Sequence, residues 1–254
     1  MRYFIEIAYK GKNYFGWQRQ PKQISVQQVL EESLSTILRK EIKIIGAGRT
    51  DTGVHAKQIY AHFAFNKLED KTALIFRLNS FLPKDISIIS IKEVNENAHA
   101  RFDAVEREYK YFVSFQKDPF SHDFSYLINR KPNIVLMNKA AEILLTHTNF
   151  QCFSRSKTDV KTYNCVITRA FWEEKENNFV FTIVADRFLR NMVRAIVGTL
   201  LNVGLEKTSI DDFQTILNSK NRSMAGASAP AKGLFLVKVK YPESVFLNIG
   251  IKKI

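Results

Sequence analysis

The segment GAGRTDTGVHA, residues 46–56, combines groups that can perform chemistry with residues that let a backbone turn tightly. The carboxylate of Asp51 lies two positions after the guanidinium of Arg49, and the residues around this pair up to Gly53 are small. Glycine adopts conformations that other residues adopt rarely, and it lets a backbone pass close to a neighbour. The segment therefore predicts either a charged surface turn or an acid held in place for catalysis.

Other motifs with similar residues do not account for this segment. A dinucleotide-binding fingerprint requires a third glycine where Asp51 stands, and a P-loop requires a Gly-Lys-Ser/Thr ending that is absent. The triplet at residues 51–53 also matches the catalytic triplet of aspartic proteases, in which two carboxylates share a proton. The chain has no second such triplet, although a homodimer would supply one. Because Arg49 favours an ionised carboxylate, it opposes proton sharing and disfavours the protease.

The histidines and cysteines do not indicate a metal centre. The five histidines, at positions 55, 62, 99, 122 and 147, show no metal-ligand spacing. Cys152 and Cys165 fit neither a disulfide framework nor a zinc site. We therefore expect no metal, and we expect both cysteines to be reduced thiols in the core.

Three further segments place basic residues beside aromatic or apolar ones, a pattern that suits contact with nucleic acid. They are NYFGWQRQ with Tyr14, Trp17 and Arg19, HARFDAVEREYKY with Arg101, Arg107, Tyr109 and Lys110, and RFLRNMVRAIVG with Arg187, Leu189, Arg190 and Arg194. In a strand, Arg107 and Tyr109 lie on one face. In a helix, Arg187, Arg190 and Arg194 form one basic stripe. The ordinary alternatives are an aromatic turn, a half-buried strand and a solvated helix face.

Composition favours a polyanionic partner. The 254 residues include 38 Lys and Arg against 25 Asp and Glu, a formal net charge of +13. Such an excess favours nucleic acid first and an anionic membrane surface second. The N-terminal residues lack the apolar stretch of a signal peptide, and no run approaches the ~20 apolar residues of a membrane helix. We therefore expect a cytoplasmic protein that does not enter a membrane.

Hydrophobic periodicity predicts the elements that must position these groups. The first series comprises strands over 2–9, 42–48, 55–65 and 86–94 and helices over 25–40 and 72–82. The second comprises strands over 107–115 and 233–241, a hairpin over 164–186 that turns at 177–178, helices over 138–148 and 187–204, and an inserted helix over 209–219. Each series has the β-α-β-β-α-β order of a ferredoxin-like unit. We therefore expect an α+β protein with two copies of one plan.

Taken together, these segments resemble the tRNA pseudouridine synthase A family. The signature G-R-T-D-x-G-V-H-A is present at 48–56, and the N-terminal Y-x-G-x-x-Y-x-G-W-Q is present at 9–18. The further matches are Val26-Gln27, HARFDA at 99–104, REYKY at 107–111, FLRNMVRAIVG at 188–198 and APAKGLFLVKVKY at 229–241. The matches follow the order of the family over nearly the whole chain, which a chance motif would not do.

This resemblance implies an isomerase that converts uridine to pseudouridine at positions 38, 39 and 40 in the anticodon stem-loop of tRNA. It implies a homodimer that needs no cofactor. It also implies two ferredoxin-like (RRM-like) halves, 1–104 and 105–254, whose sheets join into one long, mainly antiparallel sheet. The helices are expected on one side of this sheet and the catalytic cleft on the other.

The resemblance also implies roles for single residues. Asp51 matches the catalytic carboxylate, Arg194 its partner, Tyr109 the tyrosine that stacks on the target base, and Leu189 a cleft wall. A uridine in a stem must be flipped out, and planar, cationic Arg49 suits the vacancy that it leaves. The remaining expected RNA contacts are Arg101, Arg107, Lys110, Arg190, Tyr14, Trp17 and Arg19.

The alternative is a non-catalytic RNA-binding module, since ferredoxin-like sheets with exposed aromatic residues bind single-stranded RNA. A carboxylate that faces RNA phosphates gives such a module nothing, whereas an isomerase needs one. Asp51 therefore favours the enzyme.

Overall fold

The computed structural model of the protein describes residues 1–155, 160–175 and 178–247, which form one nine-stranded sheet and five α-helices. The strands are β1 (Arg2–Tyr9), β2 (Ile45–Gly46), β3 (His55–Ala64), β4 (Ile86–Val94), β5 (Glu106–Ser114), β6 (Tyr126–Leu127), β7 (Ile167–Lys175), β8 (Asn178–Ala185) and β9 (Leu234–Lys240). The helices are α1 (Val26–Leu38), α2 (Lys71–Phe81), α3 (Ile134–Ile143), α4 (Met192–Gly204) and α5 (Ile210–Ser219).

The strand order confirms the expected α+β class with two similar series. The sheet runs β4-β1-β3-β9-β5-β8-β7, with β2 paired to β3 and β6 paired to β5. In each series the first strand lies between two later strands of the same series: β1 lies between β4 and β3, and β5 lies between β9 and β8. Pairing is antiparallel except between β5 and β6 and between β3 and β9, and the short parallel contact of β3 with β9 joins the two series.

The first helix begins where its sequence predicts. The side chain of Ser25 accepts a hydrogen bond from the Gln28 backbone N–H, which satisfies one of the free donors of the first turn. Val26, Leu30 and Leu34 recur at a spacing of four and are fully buried. This apolar stripe packs α1 into the core that it shares with β1, β3 and β4.

The second series has its own core on the helix side of the sheet. Alternate residues of β5 and β8, among them Tyr111 and Phe181, pack in one cluster with α3 and α4. Both cysteines lie in this cluster as free, buried thiols, as expected. Burial raises the pKa of each thiol to about 12. In the parts of the chain that the structure describes, no helix is long and apolar enough to cross a membrane.

Two predicted elements are shorter than expected. The strand expected over 42–48 contains only Ile45–Gly46, because the chain then leaves the sheet in the loop that carries Asp51. The helix expected from 187 begins at Met192, because Asn191 adopts a left-handed conformation with φ of 65°. The expected basic stripe therefore does not form, since two of its three arginines precede the helix. The hairpin tip expected at 177 lies outside the described residues.

Candidate active site

The loop between β2 and β3 carries Asp51 and is braced by the N-terminal segment. The hydroxyl of Tyr9 and Thr50 Oγ1 form a buried hydrogen bond of 2.8 Å. The backbone N–H of Trp17 donates to the Thr50 carbonyl at 3.2 Å. At Gly16, where φ is +83°, a Cβ would lie 2.5 Å from the same carbonyl, so glycine permits this close approach. The residue directly before Asp51 is therefore held through both its side chain and its backbone.

Two arginines at the start of α4 lie beside the Asp51 carboxylate. Arg194 Nη1 is 3.5 Å from Oδ2, and Arg190 Nε is 4.0 Å from Oδ1. Arg194 is also fixed from its other side, because its Nε donates to the Ala229 carbonyl at 2.7 Å. The side chains of Asp51 and Arg194 are 24% and 21% exposed. Their attraction is therefore screened less than that of a surface pair.

Tyr109 on β5 brings an aromatic ring to the same place. Its ring meets Phe188 edge to face, with ring centroids 5.1 Å apart. Leu189, the next residue, is buried in the same cluster. Burial, reinforced by the negative charge of Asp51, raises the pKa of Tyr109 to about 12. Its hydroxyl therefore stays protonated at neutral pH.

These side chains meet on the helix side of the sheet. Alternation along β5 places Tyr109 on the same face as Tyr111, which packs with α4. Arg194 reaches Asp51 from the first turn of α4 itself. They come together at the seam between the two series, where α4 begins.

Arg49 is the free cation of this loop. Its side chain is exposed, and no hydrogen bond or ion pair links it to any other residue in the described part of the chain. A simple surface turn closed by an ion pair between Arg49 and Asp51 is therefore not what the structure shows. Asp51 pairs across the fold instead, and Arg49 remains available for a ligand.

Comparison with known proteins agrees with this arrangement. The family profile described as tRNA pseudouridine synthase matches residues 6–103 and 140–242, and these two ranges contain the Asp51 loop and the start of α4. The chain belongs to the tRNA pseudouridine synthase family. The members of this family are isomerases.

Individual relatives cover almost the whole chain. A protein of Bacteroides fragilis named tRNA pseudouridine synthase A is 50% identical over 247 residues, which are 96% of this chain and 98% of that one. A protein of the same name from Parabacteroides distasonis is 49% identical over 96% of this chain and 98% of its own length. One from Francisella tularensis subsp. holarctica is 39% identical over 98% of both chains. The family assignment therefore applies to the chain as a whole.

Three of the expected RNA contacts in this synthase brace the fold instead. Trp17 is 1% exposed, and its ring covers the backbone of Gly46 at the start of the loop that carries Asp51. Tyr14 is 5% exposed and donates its hydroxyl to Asp85 Oδ1 at 2.5 Å. Arg19 pairs with Glu31 and Glu32 of α1. The motif NYFGWQRQ predicted that Tyr14 and Trp17 stack on RNA, but both side chains are buried in the protein core.

The basic residues of the HARFDAVEREYKY segment separate in the structure. Arg101 stays exposed, as an RNA contact requires. Lys110 lies on the face of β5 opposite Tyr109, where it pairs with Glu108 at 4.0 Å. Arg107 donates from its guanidinium to the backbone carbonyls of Ala47, Arg101, Ala104 and Asp186. Arg190 lies at the site, but its nearest charged group is Asp51.

The sequence did not indicate which residues support Asp51 and Arg194. Nothing in the sequence indicates that the hydroxyl groups of Tyr9 and Thr50 form a hydrogen bond with each other. The segment after residue 228 supports the site twice, because Ala229 holds Arg194 and the Pro230 carbonyl accepts from the Tyr111 hydroxyl at 2.8 Å. The available signal was that Tyr9, Thr50 and Ala229 all belong to motifs quoted for the family resemblance.

Two further features lie away from these groups. Within 1–155, 160–175 and 178–247, no cluster of three or more His, Cys, Asp and Glu residues is placed to hold a metal ion. A pocket of about 620 Å³ lies beside His55, Phe112 and Phe235. Phe112 alternates with Tyr111 along β5, so this pocket opens on the other face of the sheet. Asp51, Tyr109 and Arg194 do not line it.

Proposed function

We propose that this chain isomerises uridine to pseudouridine at positions 38, 39 and 40 in the anticodon stem-loop of tRNA, with Asp51 as the catalytic carboxylate. Family membership and relatives named tRNA pseudouridine synthase A support the reaction and the substrate class. The single observation that carries the role of Asp51 is its pairing with Arg194 beside Tyr109.

The chemistry requires little besides a carboxylate and a means of holding the base. The N1–C1′ bond breaks, the base turns, and a C5–C1′ bond forms, while C5 loses a proton and N1 gains one. No electrons are gained or lost overall, so the reaction needs neither an oxidant nor a reductant. Asp51 can attack C1′, add to the base or remove the 2′ proton, and each of these steps uses the ionised form.

Two arginines lie beside the carboxylate of Asp51. Two guanidinium groups within 4.0 Å stabilise a negative charge, more strongly where the pair is partly shielded from water. Because the Ala229 carbonyl fixes Arg194, this charge is oriented before the substrate arrives. Arg190 is 58% exposed and can turn from Asp51 towards an RNA phosphate.

Tyr109 suits the detached uracil. A tyrosine ring at the wall of the cleft offers a face on which the base stacks, which limits its movement while it turns. Since the pKa of Tyr109 is raised to about 12, the hydroxyl can donate a hydrogen bond at neutral pH. Leu189 provides an apolar wall on the same side.

Arg49 suits the step that exposes the uridine. A base in a stem must leave the stack, which costs a few kcal/mol. The exposed guanidinium two residues before Asp51 is planar and has no partner among the described residues, and it can stack in the vacancy that the base leaves. The net charge of +13 supports contact with the phosphates around this point without reading a base sequence.

We extend the proposal to a homodimer in the cytoplasm, on the strength of the family resemblance. The surface contains large exposed apolar residues, among them Phe76, Phe81 and Phe120, that a partner protomer can cover. Light scattering on the purified chain tests this part, and a monomer at micromolar concentration contradicts it.

The experiment that tests the function uses tRNA transcripts with a single uridine in the anticodon arm. Transcripts with that uridine at 38, 39 or 40 are compared with transcripts that carry it at 37 or 41, and pseudouridine is mapped by chemical-adduct primer stops. We expect stops at 38, 39 and 40 alone. Tight binding without any stop would instead indicate the non-catalytic RNA-binding module.

A further inference from the structure

The guanidinium of Arg107 binds four backbone carbonyls at once. Arg107 Nη1 donates to Ala104 O at 2.7 Å and to Asp186 O at 2.6 Å. Arg107 Nη2 donates to Arg101 O at 2.6 Å and to Ala47 O at 3.3 Å. Burial lowers the pKa of Arg107 from its usual value, because the charge is removed from water. Removing this charge from water costs free energy, and the four hydrogen bonds offset that cost by holding the backbone together.

The four carbonyls belong to three segments that converge on the site. Ala47 lies at the start of the loop that ends in Asp51. Asp186 lies at the start of the segment that leads through Leu189 and Arg190 into α4. The other two carbonyls belong to the HARFDA segment, which connects the two series of strands. Arg107 thus joins the strand that carries Tyr109 to the loop that carries Asp51 and to the segment that leads to Arg194.

Ala47 and Asp186, whose carbonyls Arg107 binds, are themselves held by further hydrogen bonds. The Ala47 N–H donates to the Tyr60 carbonyl of β3 at 2.7 Å. Asp186 Oδ1 accepts from the backbone N–H groups of Val166 and Arg187 at 2.8 and 2.7 Å. A displacement at Arg107 is therefore transmitted to the backbone on each side and is not absorbed by a loose loop.

We propose that Arg107 is the positioning residue that sets the Asp51 loop against the segment carrying Arg190 and Arg194. This inference rests on the proposed function, since it concerns the rate of the same reaction. Arg107 acts through the backbone and does not touch the substrate. The planar guanidinium presents donors in a fixed fork, which lets it hold carbonyls from several directions. Lysine keeps the charge but has a single flexible ammonium group, so it cannot hold the same four carbonyls in place.

The test separates positioning from RNA binding and from simple stability. Arg107→Lys is compared with wild type in single-turnover assays with saturating tRNA, and rates are normalised to the folded fraction measured by circular dichroism. Arg2→Lys is the matched control, because Arg2 Nη1 donates to one carbonyl, that of Ala98, at 2.8 Å. The Kd for tRNA is measured for all three proteins at two salt concentrations.

We expect Arg107→Lys to lose about 100-fold in single-turnover rate, the scale of a misplacement of about 1 Å at a catalytic group. Its Kd and the salt dependence of that Kd should stay close to wild type, and Arg2→Lys should keep its rate. A normal rate per folded molecule would overturn the proposal. A normal rate with a weaker Kd and a smaller salt slope would overturn it too, because it would make Arg107 a phosphate contact.

Chemical rescue gives a second, independent readout. In Arg107→Ala, added methylguanidine at a non-denaturing concentration should restore part of the rate in a saturable way, whereas ethylammonium at the same concentration should not. Equal rates with and without methylguanidine would overturn the assignment. Wild-type protein that makes no pseudouridine would refute the proposed function itself, and this outcome is distinct from an active Arg107→Lys.

Discussion

Asp51 and Arg194 come from different series of the fold and meet with Oδ2 and Nη1 3.5 Å apart. The same guanidinium is anchored by its Nε to the Ala229 carbonyl at 2.7 Å. One side chain therefore links the loop that carries Asp51, helix α4 and the segment before β9. The geometry of the carboxylate depends on how the two series are docked, and this dependence leads to testable predictions.

Arg194→Lys should lower the single-turnover rate by about 100-fold or more, the scale on which oriented electrostatic groups act. Lysine retains the charge, but it cannot bond Ala229 and Asp51 from two nitrogens at once. Binding of tRNA should change little, since Arg194 is only 21% exposed. The matched control is Arg169→Lys, which alters the pair of the 53% exposed Arg169 with Glu108. Equal losses in the two variants would contradict the role of Arg194.

Arg49→Ala should keep the thermal midpoint and most of the affinity for tRNA while losing turnover. The reason is that Arg49 is exposed and has no partner in the described part of the chain, so the fold does not need it. A substrate with an abasic or mismatched site opposite the target uridine should recover part of the loss, because less unstacking is needed. Single-turnover assays on paired and mismatched stems measure this. A wild-type rate on the paired stem would refute the proposed role in base flipping.

The hydrogen bond between Tyr9 and Thr50 should contribute to the free energy of unfolding. Tyr9→Phe leaves the buried Thr50 hydroxyl without its 2.8 Å partner, which costs about 1–3 kcal/mol of unfolding free energy. Thr50→Val should cost a similar amount, and the double variant should cost less than the sum of the two. Urea unfolding of the four proteins gives the coupling. Additive losses would show that the two hydroxyls do not interact.

The pH dependence of stability should contain a contribution from His62. Burial lowers the pKa of His62 to about 4, below the unfolded value near 6.5. Between these values the unfolded chain binds more protons than the folded one, so the free energy of unfolding falls as pH drops from 6.5 to 4. Protonation also removes the acceptor that Nδ1 offers to the Ala100 N–H at 3.0 Å.

Replacement of this imidazole isolates its contribution. His62→Gln should flatten the decline between pH 6.5 and 4, whereas His122→Gln, at an exposed position, should leave it unchanged. Urea unfolding at several pH values gives the slopes. If His62→Gln and wild type lose stability in parallel, the decline has another source.

The sequence predicts the elements well because their signals are local. Ser25 caps α1, and β4 begins and ends at the predicted residues, since capping and alternation are read from neighbouring positions. The predicted start of α4 was wrong because the first residue of this helix depends on tertiary structure. Asp186 binds the backbone of Val166, and the left-handed Asn191 delays the helix until Met192.

The sequence indicated which residue types form the site, but it did not indicate which of these side chains are buried. Asp51 stands out because it is a carboxylate in a glycine-rich loop of a basic protein. Tyr14, Trp17 and Arg107 have the composition of RNA contacts, but their partners lie far along the chain. Tyr14 bonds Asp85, and Arg107 bonds residues as distant as Asp186. No local pattern specifies such contacts.

The central claim is that Asp51 performs the chemistry, and Asp51→Asn tests it most directly. The variant keeps the size of the side chain and removes its negative charge, so it should bind tRNA and fold like wild type. Both proteins are incubated with unmodified tRNA, and pseudouridine in the anticodon arm is mapped by primer stops. We predict stops with wild type and none with Asp51→Asn. Equal stops with both proteins would contradict the account.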